Sequence, residues 1–331
     1  MKRTLLAAAA TVLLFTNPSS AEDVAPAVVY DLGGKFDKSF NESAYTGAEK
    51  FKTDTGINYR DFELQNDSQR EQAMRNFARR GLSPIVAIGF SQANAVEKVA
   101  KEFPDIKFAI VDMVVDLPNV RSIVFKEHEG SYLVGLLAAM ASKTGKVGFI
   151  GGMDIPLISR FACGYVQGAK ATKDGLEVFQ NMTGTTGAAW NDPVKGGELA
   201  KSQFDQGADV VYHAAGATGI GVLQAAADAG KLGIGVDSNQ NALHPGSVLT
   251  SMLKRVDVAV ETAFNDAKND KWTAGTYVLG LAEGGVDWAL DDNNKSLIND
   301  EMKAAVDQAK ADIVAGKIAV HDYMADKTCP H

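Results

Sequence analysis

The chain has 331 residues, 46% of them hydrophobic and 22% charged, with a formal net charge of −8. An acidic chain without a basic stripe excludes nucleic acid and anionic lipid as charge-driven partners. Two cysteines, Cys163 and Cys329, cannot build a zinc site or a disulfide-rich scaffold; in an exported chain they either pair, tying the C-terminal tail to the second half, or stand as two thiols.

Lys2 and Arg3 precede a largely apolar run from Leu5 to Phe15, and Ser19-Ser20-Ala21 offers small residues for cleavage. This is the pattern of a secretory signal peptide. The run is too short to span a bilayer, and no later stretch reaches the roughly 18 consecutive apolar residues of a membrane helix. The expectation is a signal peptide over residues 1–21 and a soluble mature chain from Glu22, with its formal charge lowered to −10 by the loss of Lys2 and Arg3.

From there apolar β-rich runs alternate with helical patterns. Val28 to Tyr30 leads to a helix from Asn41 to Thr55, Ile57 to Glu63 to one from Gln69 to Arg80, and Ile85 to Ile88 to one from Ala93 to Glu102. Strands at Phe108 to Asp112 and Ser122 to Phe125 follow. Strands separated by helices of ten or more residues predict a parallel sheet with right-handed crossovers. After Glu129 the same grammar restarts: a helix from Ser131 to Ala141, then Lys146 to Ile150, Phe161 to Ala171, Val178 to Met182, Val194 to Phe204, Val210 to Ala214, Ile220 to Ala229 and Ile234 to Asp237. Two α/β lobes are the economical solution, and about 310 mature residues suffice for two cores.

The most informative stretch is Gly33-Gly34-Lys35-Phe36-Asp37-Lys38-Ser39-Phe40-Asn41-Glu42-Ser43, where a strand hands over to a helix. In open α/β sheets that position faces the ligand crevice. Capping accounts for Ser39 and Glu42, with Phe40 stapling the first turn, and leaves Phe36, Asp37 and Asn41 as ligand contacts. Asp112 closes Phe108 to Val111, Asp237 closes Ile234 to Val236, and Gly216-Ala217-Thr218-Gly219 follows Val210 to Tyr212. All lie at carboxyl ends of strands, which converges them on one cleft. The glycine run from Gly216 to Gly221 has the spacing G-x-x-G-x-G, not the dinucleotide fingerprint. The five histidines show no metal-ligand spacing, and neither a G-x-S-x-G elbow nor an H-E-x-x-H helix occurs. A binding protein without cofactor or metal is therefore expected, and an enzyme is the competing class.

Phe36-Asp37-Lys38-Ser39-Phe40-Asn41, Glu129-Gly130-Ser131-Tyr132-Leu133-Val134-Gly135, Ser142 to Gly152 and Gly235-Val236-Asp237-Ser238 together resemble the basic membrane protein family of ABC-transporter substrate-binding proteins. The resemblance implies a type I periplasmic-binding-protein fold: two parallel-sheet α/β lobes, a ligand cleft and three crossovers. It also implies a purine nucleoside or purine base such as adenine as ligand, and an ABC permease in the inner membrane as partner. A receptor presenting ligand to a sensor kinase would share the same fold and site, and a nucleoside hydrolase is the competing enzyme.

Carried over residue by residue, the resemblance places Phe36 against the base, Asp37 and Asn41 in the same loop as polar contacts, and Asp112 on the base edge. Gly216, Asp237 and Lys254 hold the ribose, and Trp190 covers the other base face. Phe40 is expected in the core, and Phe161 is the next aromatic candidate after Trp190. Many members begin the mature chain with a lipid-bearing cysteine, yet none lies near Ala21-Glu22, so a protein free in the Gram-negative periplasm rather than anchored is expected; a monomer is also expected. Ala217, where a glycine is usual, is expected to tighten the ribose pocket. Lobe one is expected over residues 22–126 plus 254–272 and lobe two over 127–253 plus 273–331, with linkers near Lys126, Leu253 and Thr273 as the hinge.

Overall fold

A computed structural model describes residues 24–330, so the leader expected over residues 1–21 lies outside the described residues. The first half runs β1 (Ala27–Tyr30), α1 (Phe40–Thr55), β2 (Arg60–Glu63), α2 (Arg70–Arg79), β3 (Ile85–Ala87), α3 (Ala93–Glu102), β4 (Phe108–Val111) and β5 (Val120–Phe125). The chain then leaves through α4 (Glu127–Ala141) into β6 (Lys146–Met153), α5 (Pro156–Thr172), β7 (Glu177–Gly184), α6 (Pro193–Asp205), β8 (Val210–Ala214), α7 (Thr218–Asp228), β9 (Leu232–Asp237) and β10 (Val248–Lys254). It ends with α8 (Val256–Lys268), β11 (Gly275–Leu279), β12 (Val286–Trp288), α9 (Asp300–Val314) and α10 (Tyr323–Asp326).

Two six-stranded sheets result, ordered β11-β5-β4-β3-β1-β2 and β12-β10-β9-β8-β6-β7. Every pairing is parallel except β10 with β12. Parallel strands covered by helices on both faces must be apolar on both, and β1, β3, β4 and β8 are buried at every residue. One apolar cluster runs from Tyr30 and Phe51 through α4 to Phe149 and Tyr212, while Met74, Phe77, Ile85 and Phe108 fill the other face of the first sheet.

The chain passes between the sheets at Phe125 to Glu127, at Lys254 to Val256 and between Leu279 and Val286. The third passage differs from the expected one. Residues from 273 onward were expected in lobe two, yet β11 pairs with β5 from Gly275 opposite Arg121 to Leu279 opposite Phe125, inside the first sheet. Its half-exposed sequence Gly-Thr-Tyr-Val-Leu is that of an edge strand with little apolar signal. Helix α4 is buried nearly all round, so it reads as interior rather than amphipathic. It packs on α5 backbone to backbone: a Cβ on Gly168 would lie 2.0 Å from the Tyr132 carbonyl oxygen. Cys163 in α5 is disulfide-bonded to Cys329, with Cα atoms 5.6 Å apart, which resolves the two alternatives for the cysteines.

Candidate functional site

The site is built where the strands of both sheets end. After β1 the chain turns through Gly33 and Gly34, both at positive φ, and enters α1. Asp37 caps that helix: its carboxylate accepts from the backbone N–H groups of Ser39 at 2.8 Å, Asn41 at 3.0 Å and Glu42 at 3.0 Å. Burial pushes the Asp37 carboxyl up, against the pull of those three donors. The capping role expected of Ser39 therefore belongs to Asp37. The freed Ser39 hydroxyl donates across the cleft to Asp237 Oδ2 at 2.6 Å. Beside it Ser238 Oγ donates to the Ser39 carbonyl at 2.8 Å, and Gln240 Nε2 to the Lys38 carbonyl at 2.9 Å. These bonds latch the lobes together. Gln240 is held in turn by Val236 N–H and by His213 Nε2, 2.9 Å from its Oε1. Burial, opposed by that bond, lowers the His213 pKa to about 4, so the ring is neutral and is the donor to Gln240.

Between the lobes lies a cavity with about 70 Å³ open to the centre of a water-sized sphere. Asp31, Leu32, Asp37, Phe40, Asn41, Gly89, Phe90 and Asp112 line it from the first lobe. Leu157, Ile158, Phe161, Trp190, Ala214, Gly216, Val236 and Asp237 line it from the second, with Lys254 at the crossover. Four aromatic side chains thus surround a space whose polar groups come from strand ends. Three of its neighbouring residues hold the left-handed backbone that side chains disfavour: Lys38 at φ 62°, Asp112 at φ 70° and Asp237 at φ 63°. Such conformations persist where the surrounding structure over-determines them, typically at ligand sites.

The charge is concentrated at one end. Lys254 is 2% exposed, and its Nζ lies 2.7 Å from both Asp112 oxygens and 2.9 Å from Glu127 Oε1. Only Asp112 Oδ2 is aligned as a hydrogen bond; Oδ1 is buried without one. Burial raises the Asp112 pKa to about 6, with Lys254 pulling it down and Glu127 pushing it up. Asp237 also rises to about 6, from burial first, with Lys254 and the Ser39 hydroxyl opposing. Burial alone would lower the Lys254 ammonium, but Asp112, Glu127 and Asp237 overcome it and hold it above the usual lysine range. At the other end Asp31 is already committed, accepting from Arg70 at 2.8 Å and Ser91 at 2.6 Å.

Seven of the eight expected ligand residues line this cavity: Asp37, Asn41, Asp112, Trp190, Gly216, Asp237 and Lys254. Phe36 does not. It is 59% exposed and packs edge-on against Tyr45, with ring centroids 5.2 Å apart, outside the cleft. The double-glycine turn and the Lys35 ion pair to Asp61 at 2.6 Å carry Phe36 outward, and Phe40, the first residue of α1, faces the cavity in its place. Asp112 and Lys254, expected at different parts of a ligand, touch each other. Ala217 is buried but is not part of the wall. Sequence reasoning missed Asp31, Phe90 and Glu127. Asp31 ends a strand as Asp112 and Asp237 do, the one signal that was available for it.

Two α/β lobes latched over a buried polar and aromatic cavity define a cleft-binding protein of the periplasmic-binding-protein type. Residues 25–322 match the family model described as Bmp, ABC transporter substrate-binding protein PnrA-like, and the chain belongs to that family. It is a substrate-binding protein of an ABC transporter. It is 36% identical to the Lactococcus lactis "ABC transporter nucleoside-binding protein BmpA", over 90% of this chain and 89% of that one. The crystal structure of an ABC transporter solute-binding protein from Aeropyrum pernix K1 superposes with a TM-score of 0.81 at 29% identity, covering 89% of this chain and 92% of that one. A Pyrococcus furiosus protein, 35% identical over 82% of this chain and 72% of its own length, is named a lipoprotein, as are relatives in two further Pyrococcus species. Those names overturn the expectation of a protein without a lipid anchor, and the residues on which it rested lie outside those described.

Proposed function

We propose that the chain traps a purine nucleoside between its lobes and delivers it to an ABC permease. The observation that carries this reading is a cavity with aromatic side chains from both lobes, Phe40 and Phe90 from one and Phe161 and Trp190 from the other, and a buried Asp112–Lys254–Asp237 cluster at one end. A purine offers a π-face on each side, and stacking is worth roughly 1 to 3 kcal/mol per base. A ribose diol needs both acceptors and donors, which the two carboxylates and the ammonium supply. The contact between Asp112 and Lys254 supports reading Asp112 at the ribose with Lys254 and Asp237, with the base edge left to Asn41 and the Asp31 turn. The name of the Lactococcus relative supports the same class of ligand. A free base would leave that charged cluster without a partner, which favours the nucleoside over adenine.

Calorimetry with adenosine, inosine, guanosine and adenine tests the proposal. Nucleosides are expected to bind and adenine to bind more weakly. Binding of adenine alone, or of none of the four, would refute it. Incubation with inosine is expected to release no free base.

A further inference from the structure

Glu127, the first residue of α4, is fully buried at the crossover and does not line the cavity. Its Oε1 lies 2.9 Å from Lys254 Nζ, and its Oε2 accepts from Arg160 Nη1 at 3.0 Å. Arg160, on α5, also donates to the Phe125 carbonyl at 2.8 Å and grips Asp322 through Nε and Nη2, each at 2.7 Å. Asp322 belongs to the C-terminal arm. That arm is fixed on α5 by two hydrogen bonds between Gln167 and the His321 backbone, and by the Cys163–Cys329 bond. A chain of alternating charges therefore runs from the cleft to the surface: Asp112, Lys254, Glu127, Arg160, Asp322. Three carboxylates share two cations, so the chain is net negative.

Removing one partner from a buried ion pair is strongly unfavourable, and a lysine with a single buried carboxylate neighbour forms a closed, neutral pair with it. Here the ammonium is divided between two. We propose that Glu127 is a positioning residue of the cleft: backed by Arg160 and Asp322, it shares the Lys254 ammonium, so that the lysine is not closed onto Asp112 alone and Asp112 Oδ1, which makes no hydrogen bond within the protein, is left to accept one from the ligand. Assigning that hydrogen bond to a nucleoside rests on the function proposed above; the sharing of the lysine does not. The charged groups facing Asp112 are Lys254, Glu127 and Asp237. Of these, Glu127 is the acid that can be neutralised without touching the cavity wall.

Glu127→Gln keeps the shape and leaves two neutral pairs, Lys254 with Asp112 and Arg160 with Asp322, so the fold is retained. In the variant stripped of ligand, the Asp112 carboxyl followed by carbon NMR is expected to titrate at lower pH than in the parent. An unchanged titration overturns the proposal whatever the ligand is. Guanosine affinity is expected to fall about 10-fold or more, the lower range for a hydrogen bond to a charged group. Glu127→Gln added to Lys254→Met is expected to cause no further loss; an additive loss shows a merely structural role and overturns the proposal. Asp322→Asn, at the half-buried outer end of the charge chain, is expected to reproduce the affinity loss in weaker form. A parent that binds no nucleoside refutes the proposed function but leaves the titration to decide the role of Glu127.

Discussion

Asp237→Asn is expected to stabilise the ligand-free protein while it weakens binding. Asp237 ends β9 at φ 63°, a conformation asparagine adopts as readily as aspartate, and asparagine Oδ1 can still accept the Ser39 hydroxyl, so the backbone and the latch survive. What changes is the charge. Burial raises the carboxyl from 3.8 to about 6, so between those values the folded protein binds more protons than the unfolded chain. Stability contributed by the protonated acid is thus present in full below about 3.8 and is lost as pH rises through about 6. The whole displacement corresponds to about 3 kcal/mol, and relaxation around the cleft leaves about 1 to 3 kcal/mol as the gain expected at pH 7. Urea unfolding of parent and variant at pH 4 and pH 7 measures it. A variant no more stable than the parent at pH 7, or a difference that is the same at both pH values, would refute the reasoning. That would mean Asp237 is already stabilised by Lys254 and Ser39.

Trp190→Ala is expected to weaken purine binding by roughly 1 to 3 kcal/mol by calorimetry, whereas Phe36→Ala, on an exposed ring outside the cavity, leaves it unchanged; an equal loss in both would return Phe36 to the site. Ser39→Ala removes a hydrogen bond to a carboxylate, worth about 1.5 kcal/mol or more, and so should lower ligand affinity about 10-fold without changing the fold. Small-angle scattering with saturating ligand should then show incomplete compaction, and unchanged affinity would remove the latch from the closing step. Replacing Cys163 and Cys329 together by serine opens a loop closed by residues 166 apart and should cost about 2 to 5 kcal/mol in urea unfolding, with ligand affinity kept.

The fold was legible where local pattern and burial agree. The apolar runs at β1, β3, β4 and β8 are short because each strand is covered on both faces, and they alternate with helices whose length fixes parallel pairing. The end of the chain gave no such signal. Strand β11 lies at a sheet edge with Thr276 and Val278 exposed, and β12 is three residues long, so neither needed an apolar run to hold its place. The return of the chain to the first sheet at Gly275 is a tertiary fact: it is set by pairing with β5, 154 residues earlier at Arg121, and nothing local to residues 273–279 encodes it.

The site divides along the same line. Asp112 and Asp237 could be placed in the cleft because strand ends in this architecture point there, and the same reasoning reaches Asp31. Phe36 and Phe40 are four residues apart, one in the turn and one opening α1, and the choice between them depends on which way two glycines at positive φ turn the chain, information that residue types alone do not hold. Glu127 was hidden for a different reason. It opens a helix, where an acidic residue is ordinary, and its importance comes from being the buried anion that faces Lys254 from 127 positions earlier in the chain. Local pattern announces residues that end strands and cap helices. Residues that hold others in place are announced only by what surrounds them, and here the lysine that lines the cavity pairs with an acid that stands behind its wall.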